Sequence, residues 1–258
     1  AGMSDSTSGR AGRRVAVVGI GAASGLGWGR ERLAAGLSRG EAAIGDFTRF
    51  DHTQHRTHVA SQAPEPPLEI RGGKRLSIAD RFALFSVAEA LDQAGLPHDL
   101  TGLDVGVYFG SSTGGMWEGE EFFHDLLQLD GRHRRVRASL LASQQVNGPG
   151  DAVARRFHVE GPVETVSSAC ASGGLALGAA LEAIRSGEVQ IAIAGGADSL
   201  CRITYAGFNA LRSVSETPCR PFRAEREGLS IGEGGAVLLL ESEERALARG
   251  VRPIAWLA

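Results

Sequence analysis

A cysteine between a predicted strand and a predicted helix is the residue with the clearest chemical potential. Cys170 lies in the segment VSSACASGG, after a predicted buried strand at Val163–Val166 and a predicted tight turn at Ser167–Ala169. The segment Cys170–Ser186 is rich in Ala, Gly and Leu, which predicts a helix with nearly every face buried. A thiol at the start of a helix lies near free backbone N–H groups and the positive end of the helix dipole. The pattern therefore predicts a nucleophilic thiolate at Cys170.

The alternative for Cys170 is a small apolar side chain buried in an apolar helix, where most free cysteines lie. Its neighbours favour the reactive interpretation. Three serines, Ser167, Ser168 and Ser172, surround the thiol. The predicted helix also carries three glycines, Gly173, Gly174 and Gly178. These glycines would allow close approach by another helix or by a bound acyl chain.

A glycine-rich segment near the N-terminus suggests a different chemistry. GAASGLG at Gly21–Gly27 matches the G-x-x-x-G-x-G loop with which short-chain dehydrogenases hold a dinucleotide. Those enzymes share a Tyr-x-x-x-Lys pair, whereas the only lysine here, Lys74, has Ile70 four residues before it. We therefore interpret Gly21–Gly27 as a tight turn between a strand and a helix, with no bound nucleotide.

Two clusters of basic side chains are also candidates for binding. His52, His55 and His58 lie in the polar segment Arg39–Arg71, where neither a helical pattern nor a nearby cysteine supports a metal site, so we expect a solvated loop. The densest positive cluster comprises Arg132, Arg134, Arg135 and Arg137. We interpret the arginines as a solvated loop, with a docking surface for an acidic partner as the alternative.

Composition excludes several classes of protein. The chain has 258 residues, of which 43% are hydrophobic and 22% charged, enough for a substantial core. It has no apolar run near ~18 residues and no signal-peptide core, which predicts a cytoplasmic protein with a flexible tail at residues 1–14. The cysteines, at 170, 201 and 219, lack metal-ligand spacing and suit a reducing compartment. The net charge of −3 gives no reason to expect nucleic acid, and no membrane contact is predicted.

Strand and helix patterns alternate along the chain. Strands are predicted at Val15–Ile20, Leu103–Phe109, Val163–Val166, Val189–Gly196 and Gly234–Leu240. Helices are predicted at Arg30–Leu37, Ser77–Ala94, Glu118–Leu127, Cys170–Ser186 and Glu243–Arg249. This alternation predicts an α/β layered fold with a mainly parallel sheet.

Several segments in order resemble one family. VSSACASGG, with GPV before it and IAIAGGAD after it, resembles the nucleophile region of the β-ketoacyl-acyl-carrier-protein synthases. RRVAVVGIGAASGLG, ADRFALFSVAEALDQAGL, VGVYFGSSTGG and TPCRPFRAEREGLSIGEGGAVLLLES resemble other parts of that family, so the likeness covers residues 13 to 258. It implies the thiolase-like fold, in which two similar halves each contain a mixed five-stranded sheet. Residues 15–258 then correspond to the N-terminal half, and the form ACASG resembles the elongating type.

The resemblance implies an acyltransferase of fatty acid or polyketide biosynthesis that needs no cofactor and no metal. Cys170 would take an acyl group from an acyl carrier protein, with its own N–H in the oxyanion hole, and would then support decarboxylative condensation with malonyl-carrier. The two family histidines lie in the second half, and none of the seven histidines here matches their context. The isolated chain is therefore expected to need a C-terminal half for condensation.

Two alternatives to an active synthase portion stay open at this stage. A complete short protein that has given up condensation is disfavoured, because an end at Arg252–Ala258 within an apparent strand would leave a buried edge unpaired. A non-condensing subunit of a ketosynthase heterodimer normally has its cysteine replaced, and here Cys170 is present.

The resemblance also assigns further residues. It places Thr113 at the floor of the acyl pocket and Phe208, Leu229, Leu140 and Leu141 among the substrate contacts. It assigns carrier docking to Lys74, Arg75 and Arg212. A dimer is expected, homodimeric or with a second ketosynthase chain, through pairing of Val189–Gly196 with its twin. Three departures weaken the pocket assignments: Arg223 replaces an Asp, Leu229 an aromatic residue, and NGPGD at Asn147–Asp151 a more usual motif.

Overall fold

The computed structural model describes residues 13–67, 75–128 and 137–258. Its strands are β1 Val15–Ser24, β2 Gly27–Trp28, β3 Gly45–Asp46, β4 Val59–Ala60, β5 Val105–Gly110, β6 Val163–Val166, β7 Ile191–Asp198, β8 Gly234–Ser242 and β9 Ala255–Leu257. Its α-helices are α1 Arg30–Ser38, α2 Ile78–Ala94, α3 Met116–Gln128, α4 Gly148–Phe157, α5 Ser172–Ser186, α6 Arg202–Ala210 and α7 Glu243–Ala248. Short 3₁₀ helices cover Ala138–Ser143 and Ala169–Ala171.

One mixed sheet organises these elements. Its strand order is β2-β1-β8-β7-β5-β6, and β9 pairs with β1 as well. β5 pairs in parallel with β6 and β7, whereas β8 is antiparallel to both β7 and β1. Four of the five long strands, β1, β5, β6 and β7, thus run in one direction. The predicted α/β fold with a mainly parallel five-stranded core is confirmed, with β2 and β9 added at the β1 edge.

Side chains alternate between the two faces along each strand of the sheet, and both faces pack against helices. Ile191 and Ile193 of β7 pack with α2 and α4 on one face. Ala192 and Ala194 of the same strand pack with α5 on the other face. The sheet therefore separates two helical layers, and α2 and α5 lie on opposite sides of it.

Helix α2 has defined ends, as its sequence predicts. Ser77 forms a capping box with Asp80: each side chain accepts a hydrogen bond from the other residue's backbone N–H. Gly95 ends the helix in the left-handed conformation, with φ 64°. The prediction of a helix at Ser77–Ala94 is confirmed, with Ser77 as the cap.

The glycine-rich segment Gly21–Gly27 is not the turn that we predicted. β1 continues to Ser24 and folds back onto β2 through a two-residue connection, with Ser24 opposite Gly27. The glycine at 21 is required by packing, because a Cβ there would lie 1.8 Å from the carbonyl oxygen of Ser86 on α2. The Glu89 carboxylate accepts bonds from the N–H groups of Ala22 and Arg30, so these two donors are not free to bind a phosphate.

The expectation that Val189–Gly196 pairs with its twin across a dimer is wrong. β7 lies in the interior of the sheet, and both of its edges are occupied, by β5 and β8. Within the described ranges, β6 pairs only with β5 and so has one open edge. A strand added to this edge would meet the half-exposed β6, whose Val163 is 39% exposed.

The C-terminal segment also differs from expectation. β9 pairs antiparallel with β1, with Val15 opposite Leu257, so the predicted unpaired strand has a partner within this chain. Of the predicted tail, residues 1–12 lie outside the described residues. Among the helices that the structure describes, none combines the length and apolar character needed to cross a membrane.

Candidate active site

Cys170 lies in the 3₁₀ turn Ala169–Ala171, which joins β6 to α5. The α-helix begins at Ser172, two residues later than predicted, after a 3₁₀ turn whose first residue, Ala169, has a left-handed conformation (φ 47°). The thiol is exposed at the tip of this turn. The predicted order of strand, sharp turn and helix is confirmed, but the cysteine precedes the helix.

The other two cysteines are less accessible. Cys201 is buried, its Sγ lies 3.1 Å from the hydroxyl of Thr204, and burial raises the pKa of its thiol. Cys219 is half-buried in the loop before β8. Exposure therefore singles out Cys170 among the three thiols.

Serine hydroxyls shape the turn. The Ser172 hydroxyl donates to the carbonyl of Ala169 (2.7 Å) and accepts from the backbone N–H of Ser168 (2.8 Å). The N–H of Ala171 donates to the carbonyl of Ser168 (3.0 Å). Of the three serines predicted around the thiol, Ser168 and Ser172 thus build the turn itself.

Cys170 opens onto a cleft of about 680 Å³ at one end of the sheet. The carboxyl ends of β1, β5 and β7 meet there with the start of β8, and this end of a parallel sheet is where ligands commonly bind. Its apolar wall includes Ile20, Leu33, Leu177 and Leu238. The cleft thus offers an aliphatic surface beside the thiol.

Two carboxylates in this cleft were missed by the sequence analysis. Asp198 ends β7 and accepts hydrogen bonds from the loop after β5. Glu233 is buried beside β8, forms an ion pair with Arg49, and accepts from the N–H groups of Ala63 and Leu200. A carboxylate directly after a buried strand, as in IAIAGGAD, was the available signal for Asp198.

The residues assigned to substrate contact lie elsewhere. None of the five is among the described residues that line the cleft. Thr113 is buried, and its hydroxyl donates to Asp198 (3.0 Å) or to the carbonyl of Ser199 (3.3 Å). Phe208 packs half-buried on the aromatic cluster around Tyr205, and Leu229 is 37% exposed. Leu140 and Leu141 lie half-buried in the 3₁₀ helix before α4.

The basic residues assigned to carrier docking are described only in part. Arg75 and Arg212 are exposed. Lys74 lies outside the described residues. The same holds for Arg132, Arg134 and Arg135 of the arginine cluster, whereas Arg137 is exposed just before the 3₁₀ helix.

The histidines form an irregular loop, as predicted. The Nδ1 atoms of His52 and His58 lie 3.1 Å apart, and Nε2 of His52 lies 3.0 Å from the carbonyl of Phe47. His52 also stacks on the Phe47 ring. No group of three or more His, Cys, Asp or Glu residues in the described part of the chain is arranged to hold a metal ion.

Comparisons with known proteins agree on one group. The family described as "Beta-ketoacyl synthase, N-terminal domain" matches residues 12–246. A Streptomyces halstedii protein named as a polyketide beta-ketoacyl synthase is 36% identical over 259 residues, which cover 92% of this chain and 60% of that protein. Nodulation protein E of Rhizobium sp. strain N33 is 32% identical, covering 95% of this chain and 62% of that protein.

Solved structures give the same result. The structure titled "The ishigamide ketosynthase/chain length factor" superposes with a TM-score of 0.87 at 32% identity, covering 96% of this chain and 62% of that chain. A type II PKS acyl-carrier protein in complex with its ketosynthase gives a TM-score of 0.82 at 26% identity, again covering 96% and 62%. This chain thus spans about 60% of the length of the relatives that it matches.

Proposed function

This chain belongs to the β-ketoacyl synthase family, as its N-terminal domain, and from that premise we propose that Cys170 is the nucleophile that accepts an acyl group. The observation that supports this role is the exposed thiol at the tip of a sharp turn, facing an apolar cleft. The chemistry is thioester exchange. The Cys170 thiolate attacks the carbonyl carbon of an acyl thioester, a new S–C bond forms, the old one breaks, and the departing thiol takes up the proton that Cys170 released.

The proposed overall reaction of the complete protein is decarboxylative condensation in fatty acid or polyketide synthesis. Malonyl-carrier loses CO₂, the resulting carbanion attacks the acyl-Cys170 carbonyl, a C–C bond forms, and the Cys170 thiolate leaves. In our proposal this step needs a C-terminal half that supplies two histidines. The open face of α5, which includes Gly174, Leu175 and Gly178, is the surface that such a half would cover.

The alternative, a non-condensing subunit of a ketosynthase heterodimer, fits less well. One solved relative comes from a structure titled a ketosynthase/chain length factor, which keeps this alternative in view. The exposed Cys170 favours the condensing role for this chain.

The predicted dimer remains a proposal. The proposed interface is now the open edge of β6, to which a second copy or a ketosynthase partner would add a strand. A free, exposed thiol also suits the cytoplasm, the location that we propose.

The proposed partner is an acyl carrier protein, which is acidic and would be attracted by exposed arginines. Arg75 and Arg212, together with Lys74, are the proposed docking residues. Replacing Arg75 and Arg212 by Glu is expected to slow acylation from an acyl-carrier thioester and to leave acylation from a small thioester unchanged. Arg252→Glu, at another exposed arginine, serves as the control. An equal loss of acylation rate with both acyl donors would refute a docking role.

The proposed substrate contacts of the complete enzyme remain Thr113, Phe208, Leu229, Leu140 and Leu141.

The test of the nucleophile is covalent labelling. After exposure to an acyl N-acetylcysteamine thioester, the intact mass of the chain is expected to rise by one acyl group that maps to Cys170. Cys170→Ser is expected to fold and to stay unlabelled, because a serine hydroxyl is far from its anion at neutral pH. Labelling of Cys201 or Cys219 with Cys170 untouched would refute the proposal.

A further inference from the structure

A carboxylate at the end of β7 holds the loop that follows β5. One oxygen of Asp198, Oδ1, accepts from the hydroxyl of Ser111 (2.8 Å) and from the backbone N–H groups of Ser112 (2.9 Å), Thr113 (2.7 Å) and Gly114 (3.2 Å). The Thr113 hydroxyl lies 3.0 Å from the same oxygen. A carboxylate that receives several N–H and O–H donors is a strong acceptor and fixes the backbone that supplies them. Asp198 therefore determines the course of the segment from Ser111 to Gly114.

That segment contacts the turn of Cys170 through one side chain. The Ser112 hydroxyl lies 3.2 Å from the carbonyl of Ala169 and 3.4 Å from the hydroxyl of Ser172. Ser172 donates to the same Ala169 carbonyl at 2.7 Å. The residue directly before the cysteine is thus held from two sides, by the first residue of α5 and by the loop after β5.

Ala169 needs such support because of its backbone. Its φ of 47° lies in the left-handed region, which costs a residue with a Cβ roughly 1–2 kcal/mol. A strained residue persists only where its surroundings fix it. The two hydroxyls on its carbonyl are the side-chain contacts that do so here.

We propose that Asp198 and Ser112 are positioning residues for Cys170: Asp198 fixes the Ser112 backbone, and the Ser112 hydroxyl holds the Ala169 carbonyl so that the thiol keeps its orientation toward the cleft. This inference rests on the proposed role of Cys170 as the acyl acceptor. In this role neither residue reacts with the acyl group. Both act through the turn, since reaction rates depend steeply on the orientation of the attacking atom.

The experiment compares two reactions of the same thiol in this chain. Acylation by an acyl N-acetylcysteamine thioester requires an oriented thiol, whereas alkylation by iodoacetamide requires mainly an accessible one. Ser112→Ala is expected to slow acylation by about fivefold, as for the loss of one hydrogen bond, and to change alkylation of Cys170 by less than about twofold. Ser112→Thr keeps the hydroxyl and is expected to restore acylation.

The link to Asp198 is tested by a double-mutant cycle. Asp198→Ala is expected to slow acylation in the presence of Ser112 and to have little further effect in Ser112→Ala. Asp198→Asn retains an oxygen acceptor, so it provides a folded variant, with a milder loss expected, if Asp198→Ala is unstable. Ser199→Ala is the matched control, because the Ser199 hydroxyl is buried in the same cluster and donates to Gly114 rather than to the Cys170 turn.

Each outcome has a defined meaning. Three results would overturn the positioning role and leave the nucleophile assignment intact. They are a wild-type rate of acylation in Ser112→Ala, additive effects on the acylation rate in the cycle, and an equal loss of acylation rate in Ser199→Ala. Parallel losses of acylation and alkylation would also overturn it, because they indicate a general change of structure. Failure of the wild-type chain to acylate at Cys170 would overturn the proposed function and this inference with it.

Discussion

Helices α2 and α5 lie against the same sheet from opposite faces, yet they are buried to different degrees. Ten of the 17 residues of α2 are buried, compared with five of the 15 residues of α5. α2 is the longer helix and carries large side chains such as Phe82 and Leu91, whereas α5 consists mostly of Ala, Gly and Leu. The prediction that nearly every face of α5 is buried is thus wrong: the helix with the sequence of a core element has an open face.

Glycines show why the two helices differ. On the α2 side, a Cβ at Gly19 would lie 2.1 Å from the carbonyl oxygen of Ala90, so this glycine serves a contact that exists within the chain. On α5, a Cβ at Gly173, Gly174 or Gly178 would meet nothing within 4 Å. On the α2 side, the helix packs closely against the sheet within this chain. The α5 layer has room for a further element, which fits our proposal that a C-terminal half covers it.

The largest expected effect is the loss of core packing on the α2 side. Phe82 is fully buried and its ring centroid lies 5.1 Å from that of Trp28. Phe82→Ala is expected to lower the free energy of unfolding by about 3–5 kcal/mol, because it removes buried apolar area and leaves a cavity. Leu175→Ala on α5 is the counterpart, and at 50% exposure it should change stability by no more than about 0.5 kcal/mol.

Urea denaturation followed by circular dichroism measures both values. A loss for Leu175→Ala comparable to that for Phe82→Ala would contradict the comparison, since it would mean that the face of α5 is already packed. In the complete protein we expect the Leu175→Ala loss to grow, because the proposed second half would bury that side chain.

The next effect is a pH dependence located at the start of α2. Glu118 of α3 is buried, accepts from the N–H of Ile78 (2.8 Å), and has its Oε2 without a partner among the described residues. Burial, and to a smaller extent the charge of Asp80, raises the pKa of Glu118 from 4.5 to about 7. Burial also raises the pKa of Asp80 itself.

A carboxyl group whose pKa is raised in the folded state makes stability fall with increasing pH. Between pH 4.5 and about 7 the folded chain holds a proton that the unfolded chain releases. The Glu118 contribution is therefore complete below pH 4.5 and lost above about pH 7, and it amounts to about 3 kcal/mol. Glu118→Gln is expected to remove this part of the slope in denaturation curves recorded from pH 4 to 8. An unchanged slope would show that the pKa of Glu118 is the same in the folded and the unfolded chain.

Parts of this structure could be predicted from sequence because their causes are local. The capping box of Ser77 and Asp80 defines α2, and the turn before Ser172 carries Cys170 to the surface. The position of β7 inside the sheet could not be predicted, because strand order depends on pairings between distant residues. For the same reason the role of Asp198 could not be predicted, since its hydrogen-bond partners lie more than 80 residues earlier in the chain. The acyl and carrier contacts rest on resemblance and stay predictions.

The smallest expected effect is also the most direct test of the difference between the surroundings of α2 and α5. Gly178 lies within α5, is exposed, and has open space where a Cβ would be. Gly178→Ala is therefore expected to stabilise this chain by about 0.5–1 kcal/mol, because alanine loses less backbone entropy in a helix than glycine. The matched change on the other face, Gly21→Ala, is expected to destabilise it, since the new Cβ would collide with the carbonyl oxygen of Ser86. Urea denaturation measures the sign of the change in the free energy of unfolding for both variants.

In the complete protein, Gly178→Ala should no longer be stabilising, because the added methyl would occupy space that the second half needs. A destabilised Gly178→Ala in this chain would mean that α5 already has a close neighbour, and the open face could then not be the surface that the second half covers.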